Sequence, residues 1–417
     1  MPILTFLDWV LALVGGAMVV YEVFYLVMGL FVKPIVFPPA PKDKRYAILI
    51  SARNEGEVIG QLINSIRKND YPQDLVDIWL VADNCTDNTV QVAQSLGVHV
   101  IERHNTVQIG KGFALTYLLN HMEDEKVADS YDAFLVFDAD NLLDPHYLTE
   151  MNKAFHKGFQ ILTSYRNSKN LSENWVSAGA ALWFIRESRF LNNTRMFLGS
   201  SCHVGGTGFL FSREVMKKNG GWKFHLLTED IEFTLNSILE GYTIGYCGTA
   251  VLYDEQPTSF TQSWRQRVRW SKGFLQVFRY YALPLLRKMF TDAEFASVDI
   301  MLMICPLTVL WFLREILGVI FIFCGIVTWQ SQLISLYNWL YGVGWSIAGM
   351  MAIAALTAIA ERKRIGASNK ELLAFVLSFP IYVLSYIPIS FQSLFAKSQW
   401  KPIVHHKKQE GKEGKDE

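Results

Sequence analysis

The chain has 417 residues, 51% of them hydrophobic and 14% aromatic, with 39 basic and 39 acidic side chains and a formal net charge of +0 at pH 7. That balance gives no sign of a nucleic-acid partner, and the uneven spread of apolar residues calls for a membrane part beside a soluble one. The five cysteines, Cys85, Cys202, Cys247, Cys305 and Cys324, show no CxxC spacing, which excludes a disulfide framework or zinc site of the usual kind and leaves reduced thiols.

From Trp9 to Val32 the chain is apolar except for Glu22, long enough to cross a hydrocarbon layer of roughly 30 Å. It lacks a basic n-region and a small-residue cleavage site, so a signal peptide is set aside. Lys33, Lys42, Lys44 and Arg45 follow, and basic residues gather on the cytoplasmic side. Residues 1–45 are therefore expected to form a transmembrane helix and linker, with the next domain inside the cell.

Residues 46–258 alternate short apolar or β-branched runs with amphipathic stretches, the pattern of an α/β domain on a largely parallel sheet. Strands are expected at 46–51, 78–82, 98–102 and 133–137, with helices at 57–68, 89–96 and 113–122. The run from Ala133 to Phe137 is wholly apolar, as for a central strand buried on both faces, and it delivers Asp138-Ala139-Asp140 at its C-terminal end. Ligands in open α/β sheets sit at that edge. Two carboxylates one residue apart can share a hard divalent cation that neutralises substrate phosphates, although Asp144-Pro145 also allows a plain acidic turn. Asp83 ends another strand at the same edge, where it can accept hydrogen bonds from a base or ribose. Lys111, between Gly110 and Gly112, can reach a phosphate. Singly these are a helix cap and a turn lysine; together they favour a nucleotide.

Gly205-Gly206-Thr207-Gly208 either makes room for a sugar or forms a turn. His104, His203 and His225 read as ordinary polar residues. Thr228-Glu229-Asp230 opens a helical pattern, so Thr228 is expected as the N-cap with the acids complementing the helix dipole. An acidic pair fixed there can also take a proton from a hydroxyl, with Asp230 the candidate base. Gln266-Arg267-Val268-Arg269-Trp270 lies in an expected amphipathic interfacial region, 259–297, whose plain reading is a basic face with tryptophan anchors. Arg269 and Trp270 are expected to turn inward, and Arg265 or Lys272 toward lipid headgroups.

Residues 298–396 offer crossings at about 300–328, 335–360 and 372–396, the last kinked by Pro380 and Pro388. Arg362, Lys363 and Arg364 then fall inside, as basic clusters should. The polar tail, 397–417, is expected to be disordered. The crossing count puts it outside, against the six lysines from Lys397 to Lys415.

The ordered set Ala52-Arg53-Asn54-Glu55, Asp83, Gly110-Lys111, Asp138-x-Asp140, Thr228-Glu229-Asp230 and Gln266-x-x-Arg269-Trp270 resembles glycosyltransferase family 2. The closest likeness within it is to the membrane-embedded processive synthases of cellulose, hyaluronan, chitin and poly-N-acetylglucosamine. The resemblance implies a GT-A, Rossmann-like catalytic domain inserted between transmembrane helices, one before and about three after, at the plasma membrane with the domain cytoplasmic. It implies polymerisation of a β-linked glycan from UDP-glucose or UDP-N-acetylglucosamine with outward extrusion, or alternatively single transfer to a lipid-linked acceptor. Asp83 and Lys111 would bind the uridine diphosphate, with the backbone near Ala52 and Glu55 around the base. Asp138 and Asp140 would bind diphosphate and Mg2+ or Mn2+, with Asp140 the direct ligand. Asp230 would be the base beside Glu229. Gln266, Arg269 and Trp270 would hold the diphosphate and the acceptor end, and Gly206 would adjoin the sugar. The FxVTxK sequence that gates cellulose synthases is absent. With so few helices, a pore would need a homo-oligomer or accessory subunit.

Overall fold

The computed structural model describes residues 2–292, 294–306, 310 and 329–396. Helix α1 (Pro2–Phe31) gives way to an extended segment in which Pro34, Pro38, Pro39 and Pro41 block further helix. Strands β1 (Tyr46–Ala52), β2 (Val76–Asp83), β3 (His99–Arg103) and β4 (Ala133–Asp138) run parallel in the order β3-β2-β1-β4. Helices α2 (Ile59–Arg67), α3 (Thr89–Ser95) and α4 (Lys111–Asp124) make the crossovers. Successive strand residues point to opposite faces. Ile48, Ile50, Leu80 and Leu135 thus pack on Leu62, Ile63 and Ile66 of α2. Leu49, Val81, Phe134 and Val136 pack on Leu115 and Leu118 of α4. Every residue from Ala133 to Phe137 is buried, as its unbroken apolar run requires.

The second half comprises β5 (Leu142–Leu143), α5 (Tyr147–His156), β6 (Ile161–Ser168), α6 (Trp175–Arg186), a π-helical turn (Glu187–Asn192), α7 (Asn193–Phe197), β7 (Phe209–Ser212), α8 (Arg213–Asn219), α9 (Glu229–Leu239) and β8 (Ile244–Asp254). The eight-stranded sheet has the order β3-β2-β1-β4-β7-β6-β8-β5, with β7 antiparallel to both β4 and β6. The sheet is therefore mixed, with β7 and β5 reversed, but largely parallel as expected, since β6 and β8 pair parallel and run with β1 to β4. Apolar alternation decides which face is buried and reads the same in either direction, so the reversal at β7 has no signature in that pattern.

Past the sheet, α10 (Phe260–Asp292) runs for 33 residues and is followed by α11 (Phe295–Ile304), α12 (Trp329–Ala360), α13 (Arg362–Ile365), α14 (Asn369–Leu384) and α15 (Tyr386–Phe395). Among the described residues, three helical stretches are long and apolar enough to cross a membrane: Trp9–Phe31, Leu340–Ala360 and Asn369–Phe395. The third is interrupted at Ser385. Pro388 lacks an N–H, and its ring would collide with the carbonyl of Leu384 in a continuous helix. Most of the crossing expected at about 300–328, the tail 397–417 and Cys324 lie outside the described residues. The other four cysteines are free thiols.

The apolar helices dock directly on the soluble domain. A Cβ on Gly179 of α6 would lie 2.5 Å from the Tyr382 ring of α14, so only glycine permits this approach.

Candidate active site

The site grows out of the C-terminal edge of the parallel strands. Asp83, at the end of β2, is buried and accepts a hydrogen bond from the Arg103 guanidinium at 2.5 Å. A carboxylate held this way keeps one orientation. Lys111, at the start of α4, reaches across to the Asp138 carboxylate and donates to the Gly206 carbonyl at 2.7 Å. Burial works against its charge, but Asp138 and Glu229 outweigh that and raise its pKa. The lysine thus fastens the end of β4 to the glycine loop before β7.

That loop is held from several sides. Asn141 donates to Asp140 at 3.2 Å and to Asp254 at 3.1 Å, while Thr207 donates to Asn141. Arg166 grips Asp254, donates to the Gly205 carbonyl at 2.8 Å and lies 3.6 Å over the Phe184 ring. Gly206 has φ +84, and a Cβ there would stand 3.6 Å from Asp230 Oδ2. Bare backbone therefore faces the candidate base, in a conformation that glycine adopts without strain.

Glu229 and Asp230 form the first turn of α9. Thr228 does not cap it: its hydroxyl is buried without a partner among the described residues, and its side chain packs on Gly273 of α10. Glu232 holds the preceding loop instead, its carboxylate accepting from the His225 and Leu226 amides at 2.8 and 2.9 Å. Burial first, then the Asp230 charge, push Glu229 up to about 7, against the pull of Lys111 and Arg269. Burial also raises Asp230. Both carboxyls are stronger bases than in water.

On α10 the motif splits by helical phase. Gln266, Arg269 and Trp270 face the site, where Arg269 donates to the Leu227 carbonyl at 3.1 Å and Trp270 meets Phe184 edge-on at 5.9 Å. Arg265 is exposed, as expected, whereas Lys272 donates to the Leu394 carbonyl at 3.3 Å. Arg267 points the opposite way and is fully buried. It donates to the Tyr382 carbonyl at 3.0 Å and Ser385 Oγ at 2.6 Å, under the rings of Tyr382 and Tyr386.

One cavity of about 1090 Å³ collects Glu55, Asp83, Lys111, Asp138, Asp140, Gly206, Glu229, Asp230, Gln266, Arg269 and Trp270. Ala52 alone of the expected set is not in its wall: its side chain is buried in the core, and its neighbours Ser51 and Arg53 line the cavity instead. Alternation along β1 dictates that outcome. Among the described residues no cluster of three or more His, Cys, Asp or Glu side chains is arranged to hold a metal. His203 is an ordinary buried polar residue between Arg195 at 2.8 Å and Glu187 at 2.9 Å. Two carboxylates at a strand end suit a Mg2+ or Mn2+ ion that takes its remaining ligands from substrate phosphates and water, so Asp138 and Asp140 fit such an ion.

Residues 41–273 match the family described as glycosyltransferase like family 2. The chain belongs to that family. This family 2 chain is 26% identical over 240 residues to a beta-monoglucosyldiacylglycerol synthase of Synechocystis sp., covering 56% of this chain and 48% of that protein. It is 24% identical over 235 residues to a poly-beta-1,6-N-acetyl-D-glucosamine synthase of Staphylococcus epidermidis, covering 54% of each. The matched part spans about half the length of these curated relatives. A mannosyltransferase from Pyrobaculum calidifontis, solved with GDP-Man and Mn2+, superposes with a TM-score of 0.55 at 16% identity over 93% of this chain and 99% of that one. The fold is thus the GT-A arrangement of the family, with an apolar helix before it and apolar helices after it.

Sequence reasoning passed over Arg103, Arg166, Asp254 and Arg267. Only Arg267 carried a signal, being a second arginine within a motif that faces two ways on one helix.

Proposed function

We propose that this family 2 member is an inverting glycosyltransferase that moves one sugar from UDP-glucose or UDP-N-acetylglucosamine to the hydroxyl of a lipid acceptor at the inner leaflet of the plasma membrane. The observation that carries this reading is the continuity of the cavity. Besides the polar groups, its wall includes apolar side chains of helices outside the sheet: Met18 of α1, Leu302 and Met303 of α11, and Val383 of α14. A wall of this kind suits acyl chains rather than a hydrated glycan.

In the reaction, Asp230 takes the proton of the acceptor hydroxyl while that oxygen attacks the anomeric carbon. The bond from that carbon to the diphosphate oxygen breaks, and its electron pair leaves with the diphosphate, which Arg269 and Gln266 receive. Displacement from the opposite face turns an α-linked donor into a β-linked product. Asp83 and Lys111 orient the nucleotide, Ser51 to Glu55 surround the base, and Gly206 leaves room for the sugar. A divalent cation held by Asp138 and Asp140 would neutralise the diphosphate charge.

Polymerisation is the second reading. It is supported by the aromatic faces of Trp270 and Phe184 in the cavity, on which a terminal sugar can stack, and by the likeness to poly-beta-1,6-N-acetyl-D-glucosamine synthases. Labelled UDP-sugars supplied to the purified full chain in lipid vesicles test both. A single labelled glycolipid supports the first reading; a product that lengthens with time supports the second and rejects the first.

A further inference from the structure

Glu22 is the one charged residue of the span Trp9–Phe31, and a charge in such a segment costs several kcal/mol unless it is paired or functional. Both of its oxygens accept from Arg186 Nη2, at 2.8 and 2.6 Å. Arg186 closes α6 immediately before the π-helical turn, and its guanidinium lies 4.9 Å over the Trp183 ring. The pair is not sealed in a core. Both residues line the cavity, and the Glu22 side chain keeps 38% of its surface exposed. Beside it, Tyr21 donates to Asp299 and accepts from Arg195, both at 2.7 Å, which fixes α1 against the domain. Polar groups thus stand where the lining changes from the sugar-transfer site to the apolar helices.

Cations along this wall are already engaged: Arg186 has Glu22, Arg166 has Asp254, Lys169 has Glu255 at 3.0 Å, and Glu361 is shared by Arg189 at 3.1 Å and Arg364 at 3.5 Å. A phosphate brought to Arg186 would compete with Glu22 for the guanidinium, whereas a hydroxyl can bridge that carboxylate and guanidinium without separating them.

Resting on the lipid-acceptor reading, we propose that the Glu22–Arg186 pair is the headgroup subsite for an uncharged, hydroxyl-bearing glycerolipid. Glu22 accepts a hydrogen bond from the headgroup, Arg186 donates one to its hydroxyl or ester oxygen, and the acyl chains lie along Met18 and Leu302. The site rejects lipids whose headgroup is a bare phosphate.

The test uses the full chain in phosphatidylcholine vesicles carrying either dioleoylglycerol or a polyprenyl phosphate, with labelled UDP-sugar. The expected result is label on dioleoylglycerol only. Glu22→Gln should raise the KM for dioleoylglycerol about tenfold, and Arg186→Lys less, with the affinity for UDP unchanged. An unaltered acceptor KM in both variants, with only thermal stability lowered, reduces the pair to a structural lock and overturns the proposal. So does a preference for the polyprenyl phosphate. A wild-type protein that lengthens a glycan and labels neither lipid overturns the lipid-acceptor reading itself, which separates the two failures.

Discussion

On the proposed donor side of the cavity, Asp83 and Asp138 are the last residues of two strands that run parallel in one mixed sheet, and Lys111 opens a helix, so local chain geometry aims each of them. On the acceptor side, Glu22 meets Arg186 across 164 residues, and Arg267 meets Ser385 across 118. The first half is a consequence of topology that many chains share. The second exists only when membrane helices dock correctly on the domain. Chemistry should therefore fail cleanly when donor-side or catalytic groups are altered, and fail together with assembly when acceptor-side groups are altered.

The largest effect is expected at Asp230, where the two halves meet. Asp230→Asn removes the base but neither the fold nor the nucleotide contacts, so transfer should fall about 10³-fold with UDP affinity near that of the wild type. Asp140→Asn should do the reverse in part, weakening UDP binding measured with Mg2+ or Mn2+ present while leaving thermal stability intact. Wild-type transfer by the Asp230 variant would remove that residue from its role. Equal loss of UDP binding in both variants would erase the distinction between the halves.

The donor half was legible in the sequence because its signals are short-range. A short unbroken apolar run that ends in Asp138-Ala139-Asp140 fits a buried strand presenting carboxylates at its tip, and the helices between the strands follow from amphipathic spacing. At Ala52 a motif names only a stretch, and strand alternation decides that the side chains of Ser51 and Arg53 rather than its own line the cavity. The acceptor half was hidden. Nothing near Arg166 in sequence announces Asp254, 88 residues away, and nothing near Arg195 announces Asp299, 104 residues away. Direction along the sheet was equally hidden, because β7 would bury the same residues if it ran the other way.

A smaller effect, and one specific to assembly, is expected at Arg267. Its guanidinium supplies the donor that the break at Ser385 requires, satisfying the Tyr382 carbonyl and the Ser385 hydroxyl inside an aromatic wall. Arg267→Met removes two buried charge-assisted hydrogen bonds, at about 1–3 kcal/mol in all, while the Ser385 hydroxyl keeps its own bond to the Tyr382 carbonyl. The thermal midpoint in detergent should drop by several degrees, and Arg267→Lys should recover part of it, because an ammonium can take the place of Nη1, which makes both bonds, but not of the flat group against the Tyr382 and Tyr386 rings. If Arg267→Met melts like the wild type, the helix break is held by something other than this arginine.

The smallest effect is a slope in pH. Glu229 is raised from an ordinary value of 4.5 to about 7, chiefly by burial, so between those values the folded chain holds a proton that the unfolded chain has released. Stability from this group is therefore complete below about 4.5 and is lost as pH rises through about 7, by about 1–2 kcal/mol once water in the cavity is allowed for. Asp230 is shifted the same way and adds to the slope. Melting temperatures of wild type and Glu229→Gln, followed from pH 5 to pH 8, should converge at acid pH and separate toward pH 8, where only the wild type carries a second negative charge beside Asp230. Parallel curves would mean that Glu229 ionises as freely in the folded chain as in water, and the crowding of charge at the meeting point of the two halves would then be no strain on the fold at all.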